Sequence, residues 1–142
     1  MISDCQIKNE LIELWESIDK LEKRFKPLKY IAAGTIIEER GSPDESYNLL
    51  LVLAYSALDE LLSQCILEGM FTSSQPNNRF QNLGTKMDDS KNDLNWIDYQ
   101  SVYDGKEIRN NLAHQSELAN KEECLKYVEA IRREFIGWGI LN

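Results

Sequence analysis

The chain has 142 residues and a mass of 16.5 kDa, which is the usual size of one domain. Its composition, 42% hydrophobic and 28% charged, is typical of a folded globular protein and excludes a disordered chain. The formal net charge of −8 argues against a DNA-coating protein, because such a protein needs a broad basic face. We therefore expect a single domain over residues 1–142.

The cysteines and the apolar segments indicate the compartment. Cys5, Cys65 and Cys124 are far apart and form no Cys-x-x-Cys pair, so we interpret them as reduced, structural thiols. The apolar stretch Leu49–Leu58 is about half of the ~20 residues that cross a bilayer, and residues 1–14 lack the apolar core of a signal peptide. We expect a cytoplasmic protein with no membrane partner.

The start of the chain predicts an amphipathic helix. Apolar residues recur three and four positions apart from Ile7 to Phe25, which places them on one helical face. Ser3 or Asp4 can cap the first turn, and Pro27 limits the far end.

Two further helical segments follow. Tyr30–Arg40 is interpreted as a short second helix or a continuation of the first, ending at Gly41. Ser42 then suits an N-cap, with proline at the first helical position and Glu45 completing a capping box. The helix predicted there, Pro43–Met70, is apolar around much of its circumference and so belongs at the centre of a bundle.

The segment Phe71–Trp96 is rich in Asn, Ser, Asp and Gly and is interpreted as an insert. A structureless loop of that length is uncommon inside a small domain. The helical spacing of Phe80, Leu83 and Met87 predicts instead a short helix packed on the surface. Trp96, which borders the insert, is interpreted as a core residue, with stacking on a nucleobase as the alternative.

The last two predicted helices are Ile97–Ala113 and Lys121–Trp138, with Asn120 as the cap of the second. No alternating strand pattern and no internal repeat is recognised in the sequence. The predicted fold is therefore all-α, an antiparallel four-helix bundle with a short helical insert.

The single histidine, His114, excludes several kinds of site. A di-iron bundle needs two Glu-x-x-His units and a zinc protease needs His-Glu-x-x-His, and neither can be built from one histidine. The scattered glycines form no phosphate-binding loop. We expect no cofactor and no metal. Counting alone does not exclude a Cys–His nucleophile, but the three cysteines lie at predicted buried or terminal positions.

The segment from Arg109 to His114 reads Arg-Asn-Asn-Leu-Ala-His, an R-x-x-x-x-H pattern with the polar Asn110 in its first variable position. It resembles the signature of the HEPN family, small helical-bundle proteins that include metal-independent ribonucleases and toxins of bacterial toxin–antitoxin pairs. The segment AYSALDELLSQCI resembles the family's central helix, with Asp59 in the acidic position. Together with the terminal helix, the resemblance covers most of the chain outside the insert.

The resemblance implies a homodimer in which two motifs meet in one cleft and cleave an RNA substrate, leaving a 2′,3′-cyclic phosphate. It suggests a toxin or a phage-defence effector, and for the toxins an antitoxin protein is a partner to consider. Some toxins of the family carry a tyrosine two residues after the histidine, which a partner enzyme modifies. Ser116 occupies that position here, so this regulation is not implied.

The residue types fit such chemistry. His114 can exchange a proton near neutral pH, and the Arg109 guanidinium can bind a phosphate and its developing charge. Asn110 can orient either group, and Asp59 can fix one tautomer of the imidazole or raise its pKa. On a straight helix Arg109 points about 140° away from His114. Either the helix ends near Ala113, or two chains compose the site.

Other interpretations of the same residues remain open. Arg109 can be an ordinary surface residue, and His114 can simply complement a helix C-terminus. Asp59 can be one of the solvent-facing residues of a polar strip. The rival function is a catalytically inactive HEPN-like dimer that serves as a binding module. Several basic residues could form a local rim or be ordinary surface charges: Lys106, Lys121, Lys126, Arg132 and Arg133.

Overall fold

The computed structural model describes residues 1–142 and is mostly helical. It contains five α-helices, one antiparallel hairpin and two short 3₁₀ helices. The α-helices are α1 (Cys5–Phe25), α2 (Tyr47–Leu67), α3 (Leu83–Ser90), α4 (Tyr99–Gln115) and α5 (Lys121–Gly137). The hairpin strands are β1 (Leu28–Ala32) and β2 (Thr35–Glu39), and the 3₁₀ helices are Asp44–Ser46 and Pro76–Phe80.

Helix α1 begins and ends as its sequence predicts. The Asp4 carboxylate caps it by accepting hydrogen bonds from the backbone N–H groups of Gln6 (2.9 Å) and Ile7 (3.1 Å). Its apolar face is buried at Leu11 and Trp15, and the helix ends ahead of Pro27.

The prediction of a helix at Tyr30–Arg40 is wrong, because this segment contributes to the β1–β2 hairpin. Ala33 and Gly34 connect the strands with φ angles of 51° and 78°, the left-handed pair that tight hairpin turns require. Both faces of the ribbon are largely exposed, so no alternation of apolar and polar residues marks it in the sequence. The hairpin is the departure from a purely all-α fold.

Helix α2 is the central helix, but it begins later than predicted. The chain first forms the 3₁₀ turn Asp44–Ser46, and α2 starts at Tyr47. The predicted capping box is wrong: the side chain of Ser42 caps nothing, and its backbone N–H donates to the carbonyl of Phe25 (2.9 Å). Helix α2 packs against α1, α3, α4 and α5, and most of its residues are buried.

The segment Asp44–Leu67 is long and apolar enough to cross a membrane when judged by length and composition alone. More than half of its most apolar window is buried inside the protein, as in the core helix of a globular domain.

The insert contains the predicted short helix, α3, in which Leu83 and Met87 are buried while Phe80 precedes it and is exposed. Trp96 packs edge-to-face on Trp138 with ring centroids 4.9 Å apart, which agrees with a core position. In α5 the predicted cap is confirmed, since Asn120 accepts a hydrogen bond from the backbone of its third helical residue.

Candidate functional site

Helix α4 carries three of the four candidate residues, and its start is fixed by a buried carboxylate from α5. Glu134, which is 1% exposed, accepts hydrogen bonds from the backbone N–H groups of Ile97 (2.6 Å) and Asp98 (2.8 Å). Asp98 in turn caps α4 by accepting from the backbone N–H of Ser101 (3.2 Å). The hydrogen bonds that Glu134 and Asp98 accept thus fix the start and the direction of α4.

Close packing holds the same part of α4 against the core. A Cβ atom on Gly105 would lie 2.2 Å from the Tyr55 hydroxyl and 2.5 Å from the Tyr127 ring, so only glycine fits there. The Tyr55 hydroxyl donates to the Val102 carbonyl (2.7 Å). Burial, and secondly the charges nearby, raise the pKa of Tyr55 well above its ordinary value, so this phenol stays protonated.

The rest of α4 is much less enclosed. We call residues 99–106 the anchored half, because its buried residues are Val102, Gly105 and Lys106, and residues 107–115 the open half, in which no residue is buried. The helix does not end near Ala113. It continues through His114 to Gln115 and is closed by Ser116 in the left-handed conformation, with φ 55°.

A cleft of about 390 Å³ lies beside the open half of α4. It is lined from three elements: Asp59 of α2, the start of α3, and one side of α4. All four residues singled out in the sequence line it, and the full lining is Asp59, Asn82, Leu83, Gly84, Lys106, Arg109, Asn110 and His114.

Arg109 differs from the other partly buried arginines in having no strong partner. Arg132 pairs with the carboxylates of Asp19 and Glu129, and Arg79 donates to a backbone carbonyl at 2.7 Å. The guanidinium of Arg109 makes only a long 3.4 Å hydrogen bond, to the amide oxygen of its neighbour Asn110. Its positive charge is therefore available to an anion that enters the cleft.

Asp59 lines the cleft, but its partner is a lysine of α3. The ammonium of Lys86, whose side chain is 4% exposed, lies 2.8 Å from the Asp59 carboxylate and 2.8 Å from the Ser63 hydroxyl. His114 is exposed and has no hydrogen-bond partner within the chain. Within one chain, therefore, the aspartate binds α3 to α2 and does not contact the imidazole.

Lys106 is a cleft residue that the sequence interpretation placed only in a general basic rim. Its ammonium lies 2.8 Å from the Glu107 carboxylate and 4.3 Å from the centre of the Tyr103 ring. Burial acts to lower the pKa of Lys106, but the hydrogen bond and charge of Glu107 outweigh it and raise the pKa, so the group stays charged. The signal was its position, three residues before Arg109 on one helical face. The rim's other members do not line the cleft.

The start of α3 adds positive potential. Asn82 caps the helix by accepting from the backbone N–H of Thr85 (2.9 Å), while the N–H groups of Leu83 and Gly84 have no acceptor. The positive end of the helix dipole therefore faces the cleft beside Lys106 and Arg109. No sequence pattern indicated this, because it depends on how the insert folds back.

A larger cavity, about 600 Å³, lies at the base of the hairpin. Charges of both signs line it, including Lys29 and Lys121 but also Glu38 and Asp44, and none of the four candidate residues reaches it. It has no acid–base pair suited to proton transfer near neutral pH.

The side chains at the cleft form neither a metal site nor a cysteine–histidine pair. No group of three or more His, Cys, Asp or Glu side chains is arranged to hold a metal ion. Cys65 and Cys124 are buried, which raises their pKa values to about 12 and about 11, and Cys5 is exposed at the start of α1. No cysteine lines the cleft with His114.

No protein-family model matches this sequence, and neither a curated protein nor a solved structure shows significant similarity to it.

Proposed function

We propose that the protein is a HEPN-like, metal-independent endoribonuclease that acts as a homodimer in the cytoplasm. In this proposal the four long helices, α1, α2, α4 and α5, form the family's antiparallel bundle, with the β1–β2 hairpin as an addition. The packing of α2 against the other three supports that arrangement. The same proposal extends to a toxin or phage-defence role, with an antitoxin as a partner to be tested.

One observation carries the proposal. The cleft gathers a histidine open to solvent, an amide and a guanidinium without a carboxylate partner, although the chain as a whole carries a net charge of −8. Lys106 and the positive end of α3 border the same space. A locally cationic cleft on an acidic protein fits a phosphate ligand better than it fits a generic surface.

The proposed reaction is an internal transesterification of RNA. His114 accepts the proton of a ribose 2′-hydroxyl, and the 2′-oxygen attacks the adjacent phosphorus. The bond from phosphorus to the 5′-oxygen breaks, which leaves a 2′,3′-cyclic phosphate and a 5′-hydroxyl. Arg109 binds the non-bridging oxygens, on which negative charge develops, and Asn110 orients the phosphate.

A dimer completes this scheme, because the leaving 5′-oxygen needs a proton from an acid. A single chain contains only one imidazole, that of His114. In the proposed dimer His114 of the partner subunit donates that proton, across a cleft that the open half of α4 leaves uncovered in a single chain.

The second candidate is a binding module without catalysis. The net charge of −8 favours it, because an enzyme for RNA must attract a polyanion against its own overall field. The hairpin also presents apolar surface, with Ile31 and Ile36 largely exposed and paired across the strands.

The deciding experiment is an RNA cleavage assay in EDTA on wild type, His114→Ala and Arg109→Ala. We expect cleavage with a cyclic-phosphate end for wild type and a loss of roughly 10²–10⁴-fold in rate for His114→Ala. Arg109→Ala should lose a comparable factor through the charge that it no longer stabilises. The matched controls are Gln115→Ala, an exposed neighbour of the histidine, and Arg24→Ala, an exposed arginine on α1.

The oligomeric state is measured on every variant by light scattering. Cleavage that survives His114→Ala in a folded dimer contradicts the assigned role of the imidazole. Absence of cleavage by folded wild-type dimer, on any RNA pool, favours the binding module instead.

A further inference from the structure

Phe80 is the most exposed of the large apolar side chains, with 76% of its surface open to solvent. It ends the 3₁₀ helix Pro76–Phe80 and comes two residues before Asn82, which lines the cleft. Two residues of chain span at most about 7 Å, so the Cα atom of Phe80 lies within that distance of a residue that lines the cleft. Single exposed apolar residues are common on protein surfaces, so the charged groups beside this ring decide what it can bind.

A neighbouring arginine stacks on this ring. The guanidinium carbon of Arg79 lies 4.3 Å from the centre of the Phe80 ring, and its Nη1 donates to the Pro76 carbonyl at 2.7 Å. These two contacts hold a positive charge at the ring without a carboxylate to neutralise it.

The 3₁₀ helix Pro76–Phe80 packs against α2, which contributes Asp59 to the cleft. The Ser63 hydroxyl donates to the Asp59 carbonyl (2.8 Å) and lies 3.4 Å from the Arg79 carbonyl, and the buried ammonium of Lys86 donates to the same hydroxyl and to the Asp59 carboxylate (2.8 Å each). Asp59 is itself a cleft residue. The 3₁₀ helix that ends in Phe80 is therefore fixed to the helix that forms one wall of the cleft.

The positive charges at the exposed ring and in the cleft suit a polyanion that also carries flat rings. Arg79 stands at the exposed ring and Arg109 in the cleft, and neither has a carboxylate partner. Single-stranded nucleic acid is recognised by this combination, a cationic path for the backbone and aromatic side chains on which bases stack. An apolar protein partner would offer no counter-charge to either guanidinium group.

We propose that Phe80 is a stacking platform for one nucleobase of the single-stranded RNA whose phosphate Arg109 binds. This inference rests on the proposed function, because it takes the same RNA as the ligand of the cleft. Every base offers a π face, so the platform binds a base with little regard to its identity. It positions the strand and takes no part in proton transfer.

The experiment measures binding separately from cleavage. The probe is a short single-stranded 2′-O-methyl oligonucleotide, which lacks the 2′-hydroxyl that the reaction requires. We expect Phe80→Leu, which keeps an apolar side chain but removes the ring, to raise the Kd roughly 5- to 100-fold. Phe80→Tyr should stay within about twofold of wild type, since stacking needs only an aromatic face. Ile31→Ala, at an equally exposed apolar residue of the hairpin, is the matched control.

A second arm identifies stacking itself. Abasic sites are introduced one at a time along the oligonucleotide. At one position the missing base should weaken wild-type binding, while Phe80→Leu adds no further loss there, because both changes remove the same contact. Equal Kd values for wild type and Phe80→Leu, or losses that add at every position, overturn the proposal.

The two proposals fail in different ways. Tight, Phe80-dependent binding without any cleavage of ordinary RNA contradicts the nuclease and leaves the platform. Cleavage that Phe80→Leu leaves unchanged in kcat and KM contradicts the platform and leaves the nuclease. If wild type does not bind the oligonucleotide at all, the platform is rejected and a protein partner for the ring becomes the better explanation.

Discussion

The anchored half of α4 has residues buried in the core of the molecule, whereas the open half has none. The anchored half is held by the Glu134 carboxylate, by the Asp98 cap and by close packing at Gly105. The open half has no buried residue and ends on a strained Ser116. Yet the open half carries Arg109, Asn110 and His114. The candidate chemistry is therefore borne on the less constrained end of a helix whose other end is firmly fixed.

This difference shows how a small domain can present candidate reactive side chains without burying them. The fixed end sets the direction of the helix axis. Because the helix rises 1.5 Å per residue, that direction also positions side chains up to nine residues further along. The uncovered end leaves room for the substrate and the second subunit of the proposed ribonuclease. Local stability is expected to fall along the helix in the same direction.

The largest expected effect breaks the anchor. Glu134→Ala removes the buried carboxylate that accepts from two part-buried backbone N–H groups, and should lower the free energy of unfolding by about 3–5 kcal/mol. Urea denaturation measures it. Glu134→Gln, which keeps one acceptor, should lose roughly half as much.

The control lies on the same helix. Glu129→Ala removes an exposed carboxylate that pairs with Arg132, and should cost less than about 1 kcal/mol. A loss below that value for Glu134→Ala as well would mean that α4 is not held at its start.

The next effect concerns the pH dependence of the anchored half. Because burial raises the pKa of Tyr55, the folded protein retains a proton that the unfolded chain releases near pH 10. The stabilisation is complete below pH 10 and is lost as pH rises, by about 1.4 kcal/mol at pH 11.

Tyr55→Phe isolates this contribution, since Cys65 and Cys124 also have raised pKa values and weaken the fold in the same range. Urea titrations between pH 8 and pH 11 should give a shallower slope for the variant. Parallel slopes would show that the Tyr55 hydroxyl reaches solvent.

The smallest expected effect strengthens the open half. Ser116→Gly relieves a left-handed conformation that costs a residue with a Cβ about 1–2 kcal/mol, less the entropy that glycine adds to the unfolded chain. The net gain should be roughly 0.5–1 kcal/mol. Hydrogen exchange should slow in residues 107–115 and not in residues 99–106, whereas Ser116→Ala should give no gain.

The sequence predicted the helices that bury one apolar face, and also the helix that is buried around most of its circumference. Apolar spacing located α1, α2 and α5, and short side chains with oxygen acceptors located the caps at Asp4 and Asn120. The hairpin was missed because neither face of it is buried, so the pattern that marks a half-buried strand is absent. The Ala33–Gly34 turn between residues of high β propensity was the remaining signal.

For the candidate site, the four residues singled out in the sequence line one cleft, but the sequence did not indicate what surrounds them. His114 and Arg109 were chosen by type and spacing, and the cleft includes both. The Lys86 partner of Asp59 and the α3 terminus come from the insert, whose path depends on tertiary packing. The stacked Arg79–Phe80 pair was missed because adjacent residues have no periodic pattern.

The arrangement of the cysteines gives the protein its own reporter of unfolding. Only Cys5 is exposed, while Cys65 and Cys124 lie in the core. A thiol reagent will therefore modify the native molecule once and the unfolded molecule three times. Counting the added groups by mass spectrometry follows unfolding without an engineered residue or an optical probe.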